Sequence, residues 1–140
     1  MNAARRDSRG LIPSESKQPL SGRILVADDD EDIQHLVADA LEFMGLSVAT
    51  VGSGIEALSV FIADAFDLVL TDLQMPGMDG FSLARRIKAR SPQTPVILMT
   101  GSDCDSVSER IQQSRINHVI FKPLRIDELQ QTIQSALGIG

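Results

Sequence analysis

Four apolar runs of this sequence are each followed by side chains that can bind a cation or a phosphate. These are carboxylates, hydroxyls and one ammonium, in the segments Asp28-Asp29-Asp30, Thr71-Asp72, Thr100-Gly101-Ser102 and Lys122-Pro123. Each segment alone has an ordinary explanation, since acids cap helices, hydroxyls close turns and lysines are usually solvated. In a parallel sheet, however, the carboxyl ends of the strands meet at one edge, where ligands bind. Together the four segments predict a binding site at that edge.

The acidic residues of this set favour a magnesium ion. Two carboxylates about 4 Å apart repel by roughly 4 kcal/mol at an effective dielectric near 20, so Asp28, Asp29 and Asp72 would strain the fold without a cation among them. The segments contain no His or Cys that would favour Zn²⁺, whereas a few carboxylates with water suit Mg²⁺. Thr100 and Lys122 would add donors, and donors beside a hard divalent ion can hold a phosphoryl group.

The residues also indicate which group could accept that phosphoryl. The Ser and Thr hydroxyls have no adjacent His base, so Ser–His chemistry has no support. A carboxylate can itself attack phosphorus and give an acyl phosphate. Asp72 ends a central apolar run, and the loop after it contains Pro76-Gly77, which suits a type II turn, and Asp79-Gly80, which leads into a helix. Such a loop would leave backbone groups after Asp72 free to contact the metal.

The elements that must position these residues alternate between short apolar runs and longer amphipathic ones. Buried strands are predicted for 24–27, 68–70, 96–99 and 119–121, and an edge strand for 46–51. Pro95 fits the start of a strand. Five strand–helix repeats predict an α/β fold with right-handed crossovers. We expect a flavodoxin-like, doubly wound, five-stranded parallel sheet of order 2-1-3-4-5 with five helices.

Periodicity and capping residues place the helices. The first has one apolar face and ends at Gly45; that face comprises Ile33, Leu36, Val37, Ala40, Leu41 and Met44. Ser53 and Glu56 form a capping box for the second helix, and Asp79 caps the third. The segment 103–114 is weakly amphipathic, with Val107 and Ile111 inward. The last helix is marked by Ile126, Leu129, Ile133 and Leu137, and Arg125 before it is a poor N-cap.

Composition limits the class of protein. The 140 residues suit one domain, and the single Cys104 excludes an internal disulfide and fits a reducing compartment. No apolar run approaches the roughly 20 residues of a membrane span, and none follows Met1 as in a secretory signal. We therefore expect a cytoplasmic protein with no membrane partner. The formal charge of −6 disfavours direct binding to nucleic acid.

The first 22 residues differ from the rest in charge and composition. They contain four basic and two acidic residues, are rich in Ser, Gly, Pro and Gln, and show no hydrophobic period. Such a composition buries too little apolar surface to offset the entropy of ordering. We expect residues 1–22 to be a disordered basic tail and residues 23–140 to form the folded domain.

Four strings of the sequence closely resemble the receiver domain of two-component response regulators. They are 24–30, 72–80, Met99-Thr100-Gly101 and Phe121-Lys122-Pro123, and the resemblance covers about residues 23–138. It implies that Asp72 accepts a phosphoryl group from the phosphohistidine of a partner kinase.

The resemblance also implies roles for the other site residues. Asp29 and Asp72 would bind Mg²⁺ directly, Asp28 partly through water, and the backbone carbonyl of Gln74 would supply a third protein oxygen. Thr100 and Lys122 would bind phosphoryl oxygens, and the Lys122–Pro123 bond would be cis.

The chain departs from the family pattern on its last strand. Members often carry Tyr or Phe three residues before the Lys–Pro lysine, and here that residue is Val119. The usual aromatic switch cannot operate in its common form. Phe121 is at a different position and is interpreted as a core residue, while His35 and His118 are interpreted as surface residues.

The resulting hypothesis is a stand-alone receiver, a switch that catalyses its own phosphorylation and dephosphorylation without being an enzyme. Its partners would be a histidine kinase or phosphotransfer protein and a downstream protein target. Its alternative is a phosphorelay intermediate or a receiver fragment of a hybrid histidine kinase. A dehalogenase-like phosphatase would need a second Asp where Gln74 stands, a flavin carrier would need a stacking Trp or Tyr, and a scaffold that is never phosphorylated would not need the complete site.

Overall fold

Strands and helices alternate through the whole folded part of the chain. The computed structural model describes residues 21–101 and 104–138. The five strands are β1 (Arg23–Ala27), β2 (Ser47–Val51), β3 (Leu68–Asp72), β4 (Val96–Thr100) and β5 (His118–Phe121). The five helices are α1 (Glu31–Phe43), α2 (Gly54–Ala63), α3 (Gly80–Arg90), α4 (Cys104–Ser114) and α5 (Ile126–Ala136). The predicted tail falls almost entirely outside the described residues, as does the side chain of Val107.

The strands form one parallel sheet in the order β2-β1-β3-β4-β5. This is the predicted flavodoxin-like order, and it is confirmed. The order reverses between β1 and β3, which are neighbours in the sheet. Asp28 follows β1 and Asp72 ends β3, so both acids lie at the carboxyl edge beside the reversal point. In open α/β sheets a crevice forms at this reversal point, and ligands bind in it.

Both faces of the sheet are buried, because helices cover each of them. On one face Ile24, Val26 and Leu70 pack with residues of α1 and α5. On the other face Leu25 and Val69 pack with residues of α2 and α3. A smaller cluster lies toward α4; it contains buried Leu73, Phe81 and Leu98, with Ile111, Ile116 and Val119 against them. Burial on both faces explains why the central strands are continuous apolar runs.

Phe121 and Leu36, which are predicted to face the core, lie at the surface, and Ile126 at the start of α5 is also 38% exposed. Phe121 is 42% exposed, so its interpretation as a core residue is wrong. It shares a strand face with Val119, but it is the last residue of the edge strand β5, beyond the cluster that Val119 contacts. Leu36 is 40% exposed because it lies at the margin of the α1 apolar stripe, one residue from the fully buried Val37.

The helix caps agree with the sequence pattern. Ser53 Oγ accepts the Glu56 N–H at 3.1 Å, and the Glu56 carboxylate accepts the Gly52 N–H at 3.2 Å. Asp79 Oδ1 accepts the Ser82 N–H at 2.9 Å and so begins α3. Arg125 precedes α5 without a side-chain cap, as predicted. The cap at Asp79 matters most for the site, since it ends the loop that follows Asp72.

Replacing Asp79 by Ala should lower the free energy of unfolding by about 1–2 kcal/mol through loss of this cap. Asp79→Asn is the matched control, because Asn caps helices as well as Asp does and loses only the ion pair to Arg110, 3.3 Å away, an effect of about 0.5 kcal/mol. Urea unfolding at pH 7 measures both. Equal losses in the two variants would contradict the cap assignment.

The difference in stability between the wild type and Asp79→Ala should depend on pH. Burial acts to raise the pKa of Asp79, but the Ser82 N–H and the Arg110 charge outweigh it and lower the pKa below 3.8. A lowered pKa contributes stability above the unfolded value. The gap between the wild type and Asp79→Ala should therefore be complete at pH 7 and shrink only as the pH falls through the folded-state pKa.

Candidate functional site

Three carboxylates from two separate strand ends meet at the carboxyl edge of the sheet. Asp28 and Asp29 follow β1, and Asp72 is the last residue of β3. Each offers one oxygen, and the three oxygens lie within 4.8 Å of one another. Asp28 is fully buried and Asp72 is 7% exposed, whereas Asp29 is open to solvent. The arrangement is a set of hard oxygen donors with an open side, which fits a partly hydrated Mg²⁺.

Lys122 is the cation that neighbours this acidic cluster. Its Nζ lies 3.1 Å from Asp28 Oδ2 and 3.3 Å from Asp72 Oδ1, so one ammonium bridges both buried acids. The bond from Lys122 to Pro123 is cis, as the family resemblance implies. Burial acts to lower the pKa of Lys122, but its hydrogen bond to Asp28 and the charges of both acids outweigh this and raise the pKa above 10.5. The lysine is therefore a fixed positive charge at neutral pH.

Asp72 is in an environment that disfavours its negative charge. Burial is the main cause that raises its pKa above 3.8, and the nearby charge of Asp28 raises it further. The charge and hydrogen bond of Lys122 and the Leu73 N–H offset this only in part. A second cation in the cluster would relieve the remaining repulsion.

Thr100 and Gln74 complete the predicted set at the same edge. Thr100 ends β4 and is 1% exposed, and its carbonyl accepts the Lys122 N–H at 2.9 Å, which joins two of the contributing strand ends. Gln74 is exposed in the loop two residues after Asp72. Its backbone carbonyl remains a predicted metal ligand.

The loop after Asp72 returns to pack directly on the strand end. The Gly80 N–H donates to the Leu73 carbonyl at 2.8 Å. A Cβ at Gly80 would lie 2.5 Å from the Asp72 carbonyl oxygen, so only glycine allows this approach. Gly77 has a φ of 81°, as the third residue of the predicted type II turn requires. Tight packing of the loop fixes the backbone on which Asp72 stands.

Two contacts near the site involve residues that the sequence did not single out. Gln34 Nε2 donates to the Asp28 carbonyl at 2.6 Å. The Arg110 guanidinium pairs with Asp79 and lies 4.3 Å from the centre of the Phe81 ring. Gln34 contacts a backbone carbonyl, which every residue type has, and Arg110 contacts residues that are distant in sequence. Residue spacing therefore predicts neither contact.

Comparison with known proteins supports the same interpretation. The sequence profile of the response regulator receiver domain matches residues 24–134. The chain is 38% identical over 118 residues to the DNA-binding transcriptional regulator NtrC of Escherichia coli K12, a match that covers 84% of this chain and 25% of NtrC. It is 36% identical over 110 residues to the sensor histidine kinase RcsC of Salmonella typhi, covering 79% of this chain and 12% of RcsC. The chain thus spans a quarter or less of these two relatives.

A solved structure with the same architecture contains a magnesium ion. It is the receiver domain of the sensor histidine kinase PA1611 from Pseudomonas aeruginosa, with a magnesium ion coordinated in its active site cleft. The TM-score is 0.77 at 28% identity, and the match covers 85% of this chain and 99% of that domain. Within 21–101 and 104–138, no helix has the length and hydropathy of a membrane span. The profile match over most of the chain, together with the fold, shows that this chain belongs to the family of response regulator receiver domains.

Proposed function

We propose that this chain is a Mg²⁺-dependent switch in which Asp72 accepts a phosphoryl group from a histidine kinase or a phosphotransfer protein. The observation that carries the proposal is the meeting of Asp28, Asp29 and Asp72 within 4.8 Å, with Lys122 bridging the two buried acids. Such a site places a carboxylate nucleophile, a set of metal ligands and a fixed cation around one point.

The chemistry follows from these positions. One carboxylate oxygen of Asp72 attacks phosphorus, the bond from phosphorus to the donor nitrogen breaks, and the electron pair leaves with the donor imidazole. Lys122 would turn from its two acids toward the new phosphoryl oxygens, and Thr100 would donate its hydroxyl to another. A magnesium ion held by Asp28, Asp29, Asp72 and the Gln74 carbonyl would neutralise charge on the phosphoryl oxygens.

The same groups account for dephosphorylation. Water can attack the acyl phosphate at phosphorus in the same orientation. The bond from phosphorus to the Asp72 oxygen then breaks, its electron pair returns to the Asp72 carboxylate, and inorganic phosphate leaves with both protons of the water. We therefore class the protein as a phosphoacceptor that catalyses its own phosphorylation and dephosphorylation, rather than as an enzyme acting on a separate substrate.

The output proposed for the switch is binding to a downstream protein, not to nucleic acid. Phosphorylation adds about −1.5 to −2 charge at Asp72. The end of β5 carries the exposed Phe121 next to Lys122, whose Nζ lies 3.3 Å from Asp72 Oδ1. Val119 stands where an aromatic switch residue is common, so the change must reach the surface by another route.

Intact-mass measurement after incubation with acetyl phosphate tests the proposal. With Mg²⁺ we expect a mass increase of one phosphoryl group, and with EDTA in place of Mg²⁺ we expect little or none, because the acidic cluster then repels the incoming anion. Equal uptake with and without the metal would contradict the magnesium requirement. No uptake under either condition would contradict the phosphoacceptor role.

A phosphorelay role is the second candidate, and the match to part of a sensor histidine kinase favours it. A relay intermediate, or a receiver fragment of a hybrid histidine kinase, would pass its phosphoryl group on to a histidine. Incubation of the phosphorylated chain with a histidine phosphotransfer domain separates the two roles, since a relay requires the phosphoryl group to move from Asp72 to the histidine of that domain.

A further inference from the structure

Gln34 makes an unusual pair of contacts beside the acidic cluster. It lies on α1, yet its Nε2 donates to two backbone carbonyls outside that helix, Asp28 O at 2.6 Å and Val51 O at 3.2 Å. The Val51 carbonyl also accepts the Asp28 N–H at 3.1 Å. One side-chain amide thus joins the start of α1 to the ends of β1 and β2.

With these contacts, every polar group of Asp28 takes part in a hydrogen bond. Its N–H and carbonyl are bonded to Val51 and Gln34, its Oδ1 accepts the Asp30 N–H at 2.9 Å, and its Oδ2 accepts Lys122. The Asp28 carbonyl belongs to the planar peptide unit that leads into Asp29. Anchoring this carbonyl therefore sets the direction in which the exposed Asp29 leaves the buried Asp28.

The acidic cluster needs such an anchor, because its members repel one another. Lys122 bridges Asp28 and Asp72, but none of the described ion pairs includes Asp29. An amide donor holds the loop without adding a charge that would compete with a metal ion. We propose that Gln34 is a positioning residue that holds Asp28 and Asp29 ready for Mg²⁺; the inference rests on the magnesium binding in the proposed function.

Gln34→Met tests the inference, since Met matches the length of Gln and has no donor. Groups that orient metal ligands typically change metal affinity by about 10- to 100-fold, and we expect a loss near the lower end, about tenfold. Calorimetric titration with Mg²⁺ on the full chain measures it, because the chain has no Trp or Tyr to report binding by fluorescence. Gln34→Asn is a second variant that keeps the amide but is one methylene too short to span both carbonyls.

Gln130→Met is the matched control. Gln130 also donates its Nε2 to a carbonyl of α1, Ala40 O at 3.3 Å, but Ala40 lies along the helix, away from the acidic cluster. We expect its Mg²⁺ affinity to stay within about twofold of the wild type, as for an ordinary peripheral contact. Hydrogen exchange of the metal-free proteins gives an independent readout, with faster exchange of the Asp30 amide in Gln34→Met but not in Gln130→Met.

The outcomes separate this inference from the proposed function. If the wild type binds Mg²⁺ and both Gln34 variants bind it equally well, Gln34 has no positioning role and the inference is overturned. If the wild type binds no Mg²⁺, the proposed function fails, while faster Asp30 exchange in Gln34→Met would still support the anchoring of the loop. Weaker binding in Gln34→Met and Gln34→Asn but not in Gln130→Met supports the inference.

Discussion

Asp72→Asn is expected to take up no phosphoryl group from acetyl phosphate and Mg²⁺, under conditions in which the wild type gains one. The amide nitrogen and oxygen of Asn have almost the shape of the carboxylate but lack its nucleophilic charge, so the attack on phosphorus is lost. Intact mass measures the result directly. Persistent uptake in the variant would mean that another residue accepts the phosphoryl group.

The loss in Asp72→Asn should not come from unfolding. Burial and the charge of Asp28 raise the pKa of Asp72 in the folded protein, so the ionised side chain destabilises the fold above that pKa. Removing the charge removes this penalty. The variant should be at least as stable as the wild type at pH 7, and the advantage should disappear as the pH falls below the unfolded value of 3.8.

Asp64→Asn is the matched control for uptake. Asp64 is an exposed aspartate that follows α2 and pairs with Arg23 at 2.9 Å, at the opposite end of β1 from the cluster. Its replacement should leave phosphoryl uptake unchanged. A decrease there as large as in Asp72→Asn would show that the assay responds to general loss of negative charge.

The fold and the acidic cluster could be predicted because both depend on short-range sequence signals. Buried parallel strands read as continuous apolar runs, and topology then brings the residues after each run to one edge. This is why the sequence alone predicts that Asp28 and Asp72, which are 44 positions apart, lie close together.

The residues that support the cluster could not be predicted in the same way. Gln34 acts through its side chain on backbone carbonyls, and every residue type has a carbonyl, so no partner residue marks the contact. The pattern predicts burial for Phe121 because an apolar residue on a strand is usually buried, but Phe121 is exposed at the last position of an edge strand. Such features depend on three-dimensional packing and not on residue pattern.

Lys122→Met should lower the free energy of unfolding by roughly 2–4 kcal/mol at pH 7, because it leaves two buried carboxylates beside each other without their shared cation. Asp28 is fully buried and Asp72 nearly so, and Lys122 is bonded to both. Urea unfolding measures the loss. Added Mg²⁺ should restore more stability to the variant than to the wild type, since the metal ion then supplies the missing positive charge.

Lys88→Met is the control, because Lys88 is a buried lysine whose hydrogen-bond partners are neutral carbonyls and not carboxylates. Lys88 is 4% exposed, and its Nζ donates to the Asn117 side-chain carbonyl at 2.8 Å and to the Pro92 carbonyl at 3.4 Å. Burial, and then the charge of Arg115, lower its pKa, so its ionised form costs stability. An apolar side chain of similar length should be tolerated within about 1 kcal/mol. Equal losses in the two variants would mean that Lys122 stabilises the fold by packing alone, and not by its charge between the two acids.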